Sequence, residues 1–275
     1  MPEGPEVKII TDWLCQYTGC QILNNSKYSE INGLYINKIH CKGKQIFFIL
    51  QSVNGLEKKY INIRLGMTGR WSLSNEGHVR FWMVVNKYNI TMSSDLKTNI
   101  IDENIVIYNS DTRNFGTVDL ITNDEYIKKL NDIGPDLLSE NIDLGLWEKK
   151  IKNGRIKGKK ICDYLLEQKY FSGIGNYLKS EILYRCKIRP DKKLCELTDQ
   201  EIKLLLIISI ETIKESYKSG GLTIRDFWSP IGNKGIFNCF VYNKDKDPYG
   251  NEVIVEKFNG GANDRSTYWC PTVQK

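Results

Sequence analysis

The 275 residues of the chain suffice for one large domain or two ordinary ones. With 41% hydrophobic and 26% charged residues, the composition excludes a disordered or collagen-like chain, and no apolar run approaches the roughly 18 residues of a membrane-spanning helix. The net charge of +6 is a mild bias toward polyanionic partners, and the opening residues lack the basic and apolar segments of a signal peptide, so secretion is not expected.

Apolar spacing predicts a leading helix followed by a β-rich region. Val7, Ile10 and Leu14 fall on one face of a helix over residues 5–18. From about 21 to 122, short alternating runs are separated by turn-rich stretches, which predicts an antiparallel β-sandwich or barrel. The predicted strands are 45–50, 60–65, 79–85, 89–92, 105–108 and 117–121.

The second half of the chain is predicted to be helical and then to return to strands. Helices are predicted over 159–168 and 176–184. A third helix begins at Thr198, whose Thr-Asp-Gln-Glu segment is typical of a capping box, and ends at the glycine pair 220–221. Strands of a terminal hairpin are predicted over 237–242, 253–258 and 266–269.

The metal-binding residue types do not form a recognisable site. The eight cysteines contain no C-x-x-C pair, and His40 and His78 are the only histidines. A structural zinc site usually takes closely spaced pairs of such ligands. We therefore expect reduced cysteines, most of them in the core, and no metal.

Pro2 and Glu3 offer the first candidate chemistry. Methionine before proline is normally removed, which leaves a secondary amine on Pro2, and about a tenth of an α-amine with pKa near 8 is neutral at pH 7. Such an amine forms an iminium with an aldehyde-like carbon, and Glu3 beside it can exchange protons. The alternative interpretation is that Met-Pro-Glu openings are common and that these residues have no catalytic role.

Five segments, in order along the chain, resemble the formamidopyrimidine-DNA glycosylase/endonuclease VIII family. They are Pro-Glu-Gly-Pro-Glu-Val at 2–7, Lys-Gly-Lys at 42–44, Arg-Leu-Gly-Met-Thr-Gly at 64–69, Asp-Thr-Arg-Asn-Phe-Gly at 111–116 and Phe-Ser-Gly-Ile-Gly-Asn-Tyr-Leu at 171–178. Any one of them is a weak signal, whereas five in order are specific. The last segment resembles the helix–two-turn–helix of that family.

The resemblance implies a bifunctional DNA glycosylase and AP lyase without cofactor. Pro2 would attack C1′ of the damaged nucleotide, and Glu3 would protonate the sugar oxygen during ring opening. The resulting iminium would support β- and δ-elimination, so no metal is required. Lys44 would bind phosphate or move protons, although a lysine at a strand end is ordinarily only solvated.

Further positions are implied to bind DNA. Met67, Arg113 and Phe115 would fill the gap left by an extruded base, by wedging, hydrogen bonding and stacking. The alternative, in which these residues do not bind DNA, places Met67 and Phe115 in the core and Arg113 at the surface. Asn176 would cap a helix whose N-terminus binds phosphate, aided by nearby lysines. These lysines are Lys157, Lys159, Lys160, Lys169 and Lys179.

The tail departs from the four-cysteine zinc finger of bacterial members. Asp-Pro-Tyr-Gly-Asn at 247–251 stands where the first cysteine pair would be, and Cys270 is the one cysteine near the second. The segment Asp-Arg-Ser-Thr-Tyr-Trp at 264–269 still resembles the finger's hairpin, in which Arg265 would bind two phosphates. Together with residues 160–185, this resembles a zincless-finger branch, similar to eukaryotic endonuclease VIII-like 1 and giant-virus proteins.

The implied fold is α+β, with an N-terminal antiparallel β-sandwich behind a leading helix. Residues 1–130 would form this catalytic domain, 131–142 a linker, 143–228 the helix–two-turn–helix domain, and 229–275 a lesion loop and zincless hairpin. The expected partner is double-stranded DNA with a damaged base or abasic site, with single-stranded DNA left open.

We expect a monomer that acts at DNA inside the cell, in the nucleus or a viral replication compartment, without a membrane. Oxidised pyrimidines and hydantoins are the expected lesions. The alternative is a DNA-binding protein that recognises damage without catalysis, for which loss of Pro2, Glu3 or Lys44 would be the signature. A metal-dependent nuclease is disfavoured, because carboxylate pairs such as Asp102 and Glu103 have no ligand-like spacing.

Overall fold

The computed structural model describes residues 1–92, 98–222, 230, 232, 235–258 and 265–275, with the backbone alone for 87–92 and 98–102. The chain forms two compact units. The first contains Met1–Pro2 and Glu6–Asn131, and the second contains Glu3–Pro5, Asp132–Leu222 and Ile236–Lys275. No helix in the described part is long and apolar enough to cross a membrane.

The α-helices and strands are numbered in chain order. The helices are α1 Gly4–Leu14, α2 Asn123–Asp132, α3 Leu144–Ile151, α4 Ile161–Leu166, α5 Asn176–Arg185 and α6 Asp199–Lys218. The strands are β1 Gln21–Asn25, β2 Tyr35–Lys42, β3 Gln45–Gln51, β4 Lys58–Arg64, β5 Arg70–Ser72, β6 Val79–Met92, β7 Thr98–Ser110, β8 Thr117–Ile121, β9 Ile254–Glu256 and β10 Thr267–Trp269.

The first unit is an antiparallel β-sandwich with α1 against its core. The strand order is β5-β7-β6-β1-β2-β3-β4-β8, and the β1–β2 ladder has a single pair, Gln21 opposite Tyr35. The sheet folds over at this narrow seam. Phe48 of β3 consequently packs against Trp71 of β5, with ring centroids 5.9 Å apart, although several strands separate them in the order. The predicted sandwich and leading helix are confirmed.

The second unit is built around α5, whose residues from Tyr177 to Tyr184 are all buried. A helix buried on every side normally carries apolar residues alone, yet α5 includes Lys179, Ser180 and Glu181. Because buried polar groups need hydrogen-bond partners, these side chains indicate the positions at which α5 forms hydrogen bonds with neighbouring segments.

Most predicted elements are confirmed, with shifted ends. The third helix begins as predicted, because Thr198 caps α6 and its N–H donates to Glu201 at 2.8 Å. Residues 79–85 and 89–92 belong to one strand, β6. Strands β1, β2 and β5 and helices α2 and α3 were missed by the sequence interpretation.

The predicted strand 237–242 is wrong. The N–H groups of Phe240, Val241 and Tyr242 donate to the carboxylate of Glu181, at 2.8, 3.0 and 2.8 Å. Three consecutive amides that converge on one carboxylate cannot alternate between the two edges of a strand, as a ladder requires. The alternating apolar residues here therefore pack an irregular segment.

Helix α2 covers the outer face of β2–β4 through an aromatic cluster that includes His40. The His40 ring stacks on Phe47 at 5.3 Å, and its Nε2 lies 2.9 Å from the Tyr126 hydroxyl. Burial, together with the charge of Lys38, lowers the pKa of His40. The neutral ring is thus the form that this packing favours.

We expect the free energy of unfolding to fall as the pH drops below about 6.5, the ordinary pKa of histidine. The unfolded chain binds a proton there that the folded His40 resists, so acid favours unfolding, and above this range the effect vanishes. Urea unfolding between pH 5.5 and 7.5 measures this slope. His40→Phe should flatten the slope, whereas His78→Gln, at the exposed second histidine, should retain it. Equal slopes for His40→Phe and the wild type would contradict the prediction.

Candidate functional site

The carboxylate of Glu3 caps helix α5. Its oxygens accept the N–H groups of Gly175 at 2.7 Å, Tyr177 at 2.9 Å and Leu178 at 3.3 Å. Glu3 is only 2% exposed. The positive end of the helix dipole and these three donors stabilise the charged carboxylate. The N-terminus of the chain is thereby held on a buried helix end.

The two glycines before α5 make this approach possible. A Cβ on Gly175 would lie 2.2 Å from Cδ of Glu3, and a Cβ on Gly4 would lie 2.9 Å from Cα of Gly173. The Gly4 N–H donates to the Gly173 carbonyl at 2.8 Å. The close neighbours of these glycines are Glu3 and Gly4 of the same chain.

Asn176 does not cap α5, contrary to the sequence expectation. The N-cap is Gly175, and Asn176 is the first helical residue. Its Nδ2 donates to the Ser266 carbonyl at 2.9 Å, and its Oδ1 accepts from Lys179 at 2.8 Å. Arg265, the neighbour of Ser266, is exposed. Asn176 and Arg265 therefore lie on one local surface of the second unit.

Lys179, one of the five lysines expected to aid phosphate binding, is fully buried. Its ammonium donates to Asn176 and, at 2.8 Å, to the hydroxyl of Thr267 in β10. It thus ties α5 to the hairpin strand that follows Arg265. The other lysines of that group stand at the surface or half-buried, and Lys159 and Lys169 pair with Glu167.

Glu181 is a functional candidate that the sequence analysis missed. It is fully buried, and burial raises its pKa although the three N–H donors of 240–242 act in the opposite direction. Glu181 holds the segment that leads into the hairpin. A single glutamate on an otherwise apolar helix face was the available signal, because a buried carboxylate requires dedicated partners.

Met67, Arg113 and Phe115 are brought together in the first unit. Arg113 Nη1 lies 3.6 Å from the Met67 sulfur, and its backbone N–H donates to the Thr68 hydroxyl at 3.0 Å. Phe115 is 64% exposed, so the alternative interpretation of Phe115 as a core residue is excluded. The three side chains occupy two adjacent loops, as a wedge would require.

Asp111 holds these two loops in register. Its carboxylate accepts from the hydroxyl of Thr68, from the N–H of Arg113 at 3.2 Å and from the N–H of Gly116 at 2.6 Å. Gly66 has φ of +63°, and a Cβ there would lie 2.6 Å from the Gly116 nitrogen. The loops can therefore approach only with glycine at this position.

Pro2 and Lys44 belong to the first unit. Pro2 is buried. Lys44 is half-buried in the two-residue turn between β2 and β3, where Lys42 pairs with Gln45, so its predicted place at a strand head is confirmed. Glu3, Asn176 and Arg265 belong to the second unit, so the site candidates divide between the two.

The tail hairpin is organised by hydrogen bonds and a small apolar cluster. Asp247 accepts from Tyr184 Oη at 3.0 Å, Tyr249 N at 2.9 Å and Asn251 N at 2.8 Å. Burial raises the pKa of Asp247, but these bonds outweigh it and hold the pKa below its usual range. Strand β9 pairs with β10 over three residues. The cluster comprises Tyr184, Val241, Val253 and Cys270.

Among the described residues, no group of three His, Cys, Asp or Glu side chains could hold a metal. All eight cysteines are free thiols, and five of them are buried. Trp228, Asp264 and residues 229, 231, 233 and 234 of the predicted lesion loop lie outside the described residues. Ile236, at the end of that loop, is 80% exposed.

Comparisons with known proteins give one consistent result. Residues 133–227 match the formamidopyrimidine-DNA glycosylase H2TH domain, and 230–275 match the C-terminal domain of the same enzymes. The formamidopyrimidine-DNA glycosylase of Lactococcus lactis is 31% identical over 90% of this chain and 84% of its own length. That of Oceanobacillus iheyensis is 29% identical over 100% of this chain and 98% of its own.

Solved structures agree. The Lactococcus lactis Fpg protein in complex with abasic-site DNA is similar to this chain with a TM-score of 0.79 and 28% identity, over 99% of both chains. A complex of a mutant of that protein with DNA containing Fapy-dG has a TM-score of 0.79 and 27% identity over 100% of both chains.

Proposed function

This chain belongs to the formamidopyrimidine-DNA glycosylase family, and on that premise we propose that it releases oxidised bases from double-stranded DNA and then cuts the strand through an iminium on Pro2. The observation that carries the proposal is the Glu3 carboxylate, which adjoins Pro2 in sequence and is held by three N–H groups of α5. Held in this way, Glu3 is a positioned proton acceptor beside an amine.

The chemistry starts when removal of Met1 exposes the secondary amine of Pro2. The amine attacks C1′, the glycosidic bond breaks, and the base leaves with the bonding electrons. The new ammonium gives its proton to Glu3, and Glu3 passes it to O4′ as the C1′–O4′ bond breaks. The nitrogen lone pair then forms the iminium. Because hydrogen bonds favour the carboxylate form of Glu3, it accepts a proton before it donates one.

The iminium makes the C2′ hydrogen acidic. Loss of this proton converts the iminium to an enamine, which expels the 3′ phosphate with its bonding electrons in a β-elimination. Loss of the C4′ proton from the resulting unsaturated iminium then expels the 5′ phosphate in the same way. Electrons flow into the iminium at each step, so the proposal requires neither a metal nor another cofactor. Residues 1–130 would form the catalytic domain.

DNA binding would use both units. Lys44, Asn176 and Arg265 would contact phosphates, and the exposed Arg265 beside the Asn176–Ser266 hydrogen bond supports a shared phosphate clamp. Met67, Arg113 and Phe115 would fill the duplex once the base is extruded. Two observations support this role: the hydrogen bonds of Asp111 hold the loops of these residues together, and Phe115 is exposed.

We also propose that the hairpin needs no zinc, and that the enzyme belongs to the branch similar to endonuclease VIII-like 1. The support is Asp247, whose hydrogen bonds order the turn at 247–251, and the cluster that packs Cys270. The same resemblance favours oxidised pyrimidines and hydantoins over 8-oxoguanine as substrates.

A panel of single-lesion duplexes tests the proposal. In excess EDTA, the protein should release bases and cut the strand on an oxidised-pyrimidine or hydantoin duplex, and borohydride should trap a covalent adduct on abasic DNA. Undamaged duplex is the matched control. Tight binding of damaged duplex without base release or cutting would favour the non-catalytic alternative. Stoichiometric zinc whose removal abolishes activity would contradict the zincless hairpin.

A further inference from the structure

The outward face of strands β6 and β7 is apolar and aromatic. Trp82 stands opposite Tyr108 and Val84 opposite Val106, and all four are half-buried. The alternate positions, such as Phe81 and Met83, enter the sandwich core. The solvent side of an antiparallel sheet is ordinarily polar. Two aromatic rings on it therefore need an explanation other than core packing.

This face forms an open pocket of about 620 Å³. A volume in this range suits a small planar ligand. Its lining includes the four residues just named together with Lys27 and Arg80. None of the nine described lining residues is acidic, so the pocket combines an aromatic surface with positive charge.

A β-bulge directs Arg80 toward this pocket. Val79 pairs with Ser110 and Phe81 with Asn109, so Arg80 is the extra residue on its strand. Bulges redirect side chains in this way. Arg80 is exposed, and no carboxylate of the described residues pairs with it. Lys27 is fixed nearby, because its ammonium donates to the Val118 carbonyl at 2.6 Å.

The pocket continues toward the proposed wedge within the first unit. A second pocket of about 270 Å³ shares Lys27 and Arg80 and is also lined by Gly116, Thr117 and one acidic residue, Asp119. Gly116 directly follows Phe115. A DNA strand that leaves the loop of Phe115 could therefore pass Lys27 and Arg80 and reach the two aromatic rings without leaving this part of the first unit.

We propose that Lys27, Arg80, Trp82 and Tyr108, here the β6–β7 surface, bind unpaired nucleotides of a DNA single strand. A base would stack on Trp82 or Tyr108, and Arg80 and Lys27 would hold its phosphates. Single strands are favoured over duplex because stacking on a protein ring needs a free base face. The proposal rests on the proposed function, since a strand opened at a lesion supplies such nucleotides beside the wedge.

Binding of a short fluorescent oligothymidine, followed by anisotropy, tests the β6–β7 surface. Trp82→Ala should weaken affinity about tenfold, as expected for one lost base stack, and Trp82→Phe should restore most of it. Arg80→Gln should reduce the log–log salt slope by about 0.7, the value for one phosphate contact on a single strand. Tyr35→Ala and Lys128→Gln, at a half-buried aromatic ring and an exposed cation elsewhere in the first unit, are the matched controls.

Thermal unfolding of each variant tests whether it is folded. Incision of a lesion duplex is measured in parallel. Wild-type single-strand affinity in both Trp82→Ala and Arg80→Gln would overturn the proposal and would point to a protein partner or none. Equal losses in the Tyr35→Ala and Lys128→Gln controls, or no oligothymidine binding by the wild type, would also overturn it. Absence of incision by the wild type would instead contradict the proposed function, whatever the single-strand affinity.

Discussion

A chain that retains Met1 should lose most of its borohydride trapping on abasic-site DNA, because its remaining primary amine stands one residue away from the position of the Pro2 nitrogen. Retained Met1 places a different residue at the terminus and turns the nitrogen of Pro2 into an amide, which has no nucleophilic lone pair. Loss of a covalent nucleophile typically costs several orders of magnitude in rate, so strand cutting should fall by at least about 10³-fold. Mass spectrometry of each preparation establishes which residue is N-terminal.

Pro2→Ala is a deliberately milder variant. Removal of Met1 before alanine leaves a primary amine, which still forms an imine, so residual trapping is expected. Binding to a duplex with an uncleavable abasic analogue should persist in the blocked chain, which separates lost chemistry from lost affinity. Full trapping by a protein that retains Met1, or whose terminal amine is acetylated, would refute the assignment of Pro2.

The Glu3–Gly175 contact carries the second large effect. Glu3→Gln removes the negative charge and turns an NH₂ group toward N–H donors of α5, so the side chain cannot keep all three hydrogen bonds. Loss of a positioned proton acceptor costs roughly 10²- to 10⁴-fold in rate. We expect base release to fall within this range.

Gly175→Ala tests the same contact from the other side. The new Cβ would lie 2.2 Å from the Glu3 carboxyl carbon, so the carboxylate must leave its three donors. Base release should again fall at least about 10²-fold, although no catalytic group has been removed. Gly154→Ala is the matched control, because a Cβ there meets nothing within 4 Å. Wild-type rates in both Glu3→Gln and Gly175→Ala would remove Glu3 from the mechanism.

Local patterns in the sequence were sufficient where neighbours along the chain decide the structure. The capping box at Thr198 and Glu201 is satisfied within one helical turn, and α6 begins there as predicted. Strand Thr117–Ile121 was predicted with both its ends. The loops at 64–69 and 111–116 were identified as a pair through resemblance alone, and their contact through Asp111 required the folded chain.

Other segments were misjudged because distant groups override local preference. Residues 237–242 alternate like a strand, but Glu181 of α5 takes their amides. Asn176 has a side chain suited to capping, but Glu3 already supplies the capping oxygens. Helix α2 has no buried residue, which explains why its weak apolar pattern was missed.

Composition, apolar periodicity and motifs were enough to predict the β-rich first half, the helical second half and the residues on which a mechanism can rest. How particular residues are held depends on contacts that exist only in the folded chain: Glu3 on α5, Lys179 against Asn176, and Trp82 beside Tyr108 on an open face. The reason is physical. Periodicity records which side of an element is apolar, whereas buried polar groups choose partners wherever folding brings a donor or acceptor within reach, regardless of separation along the chain.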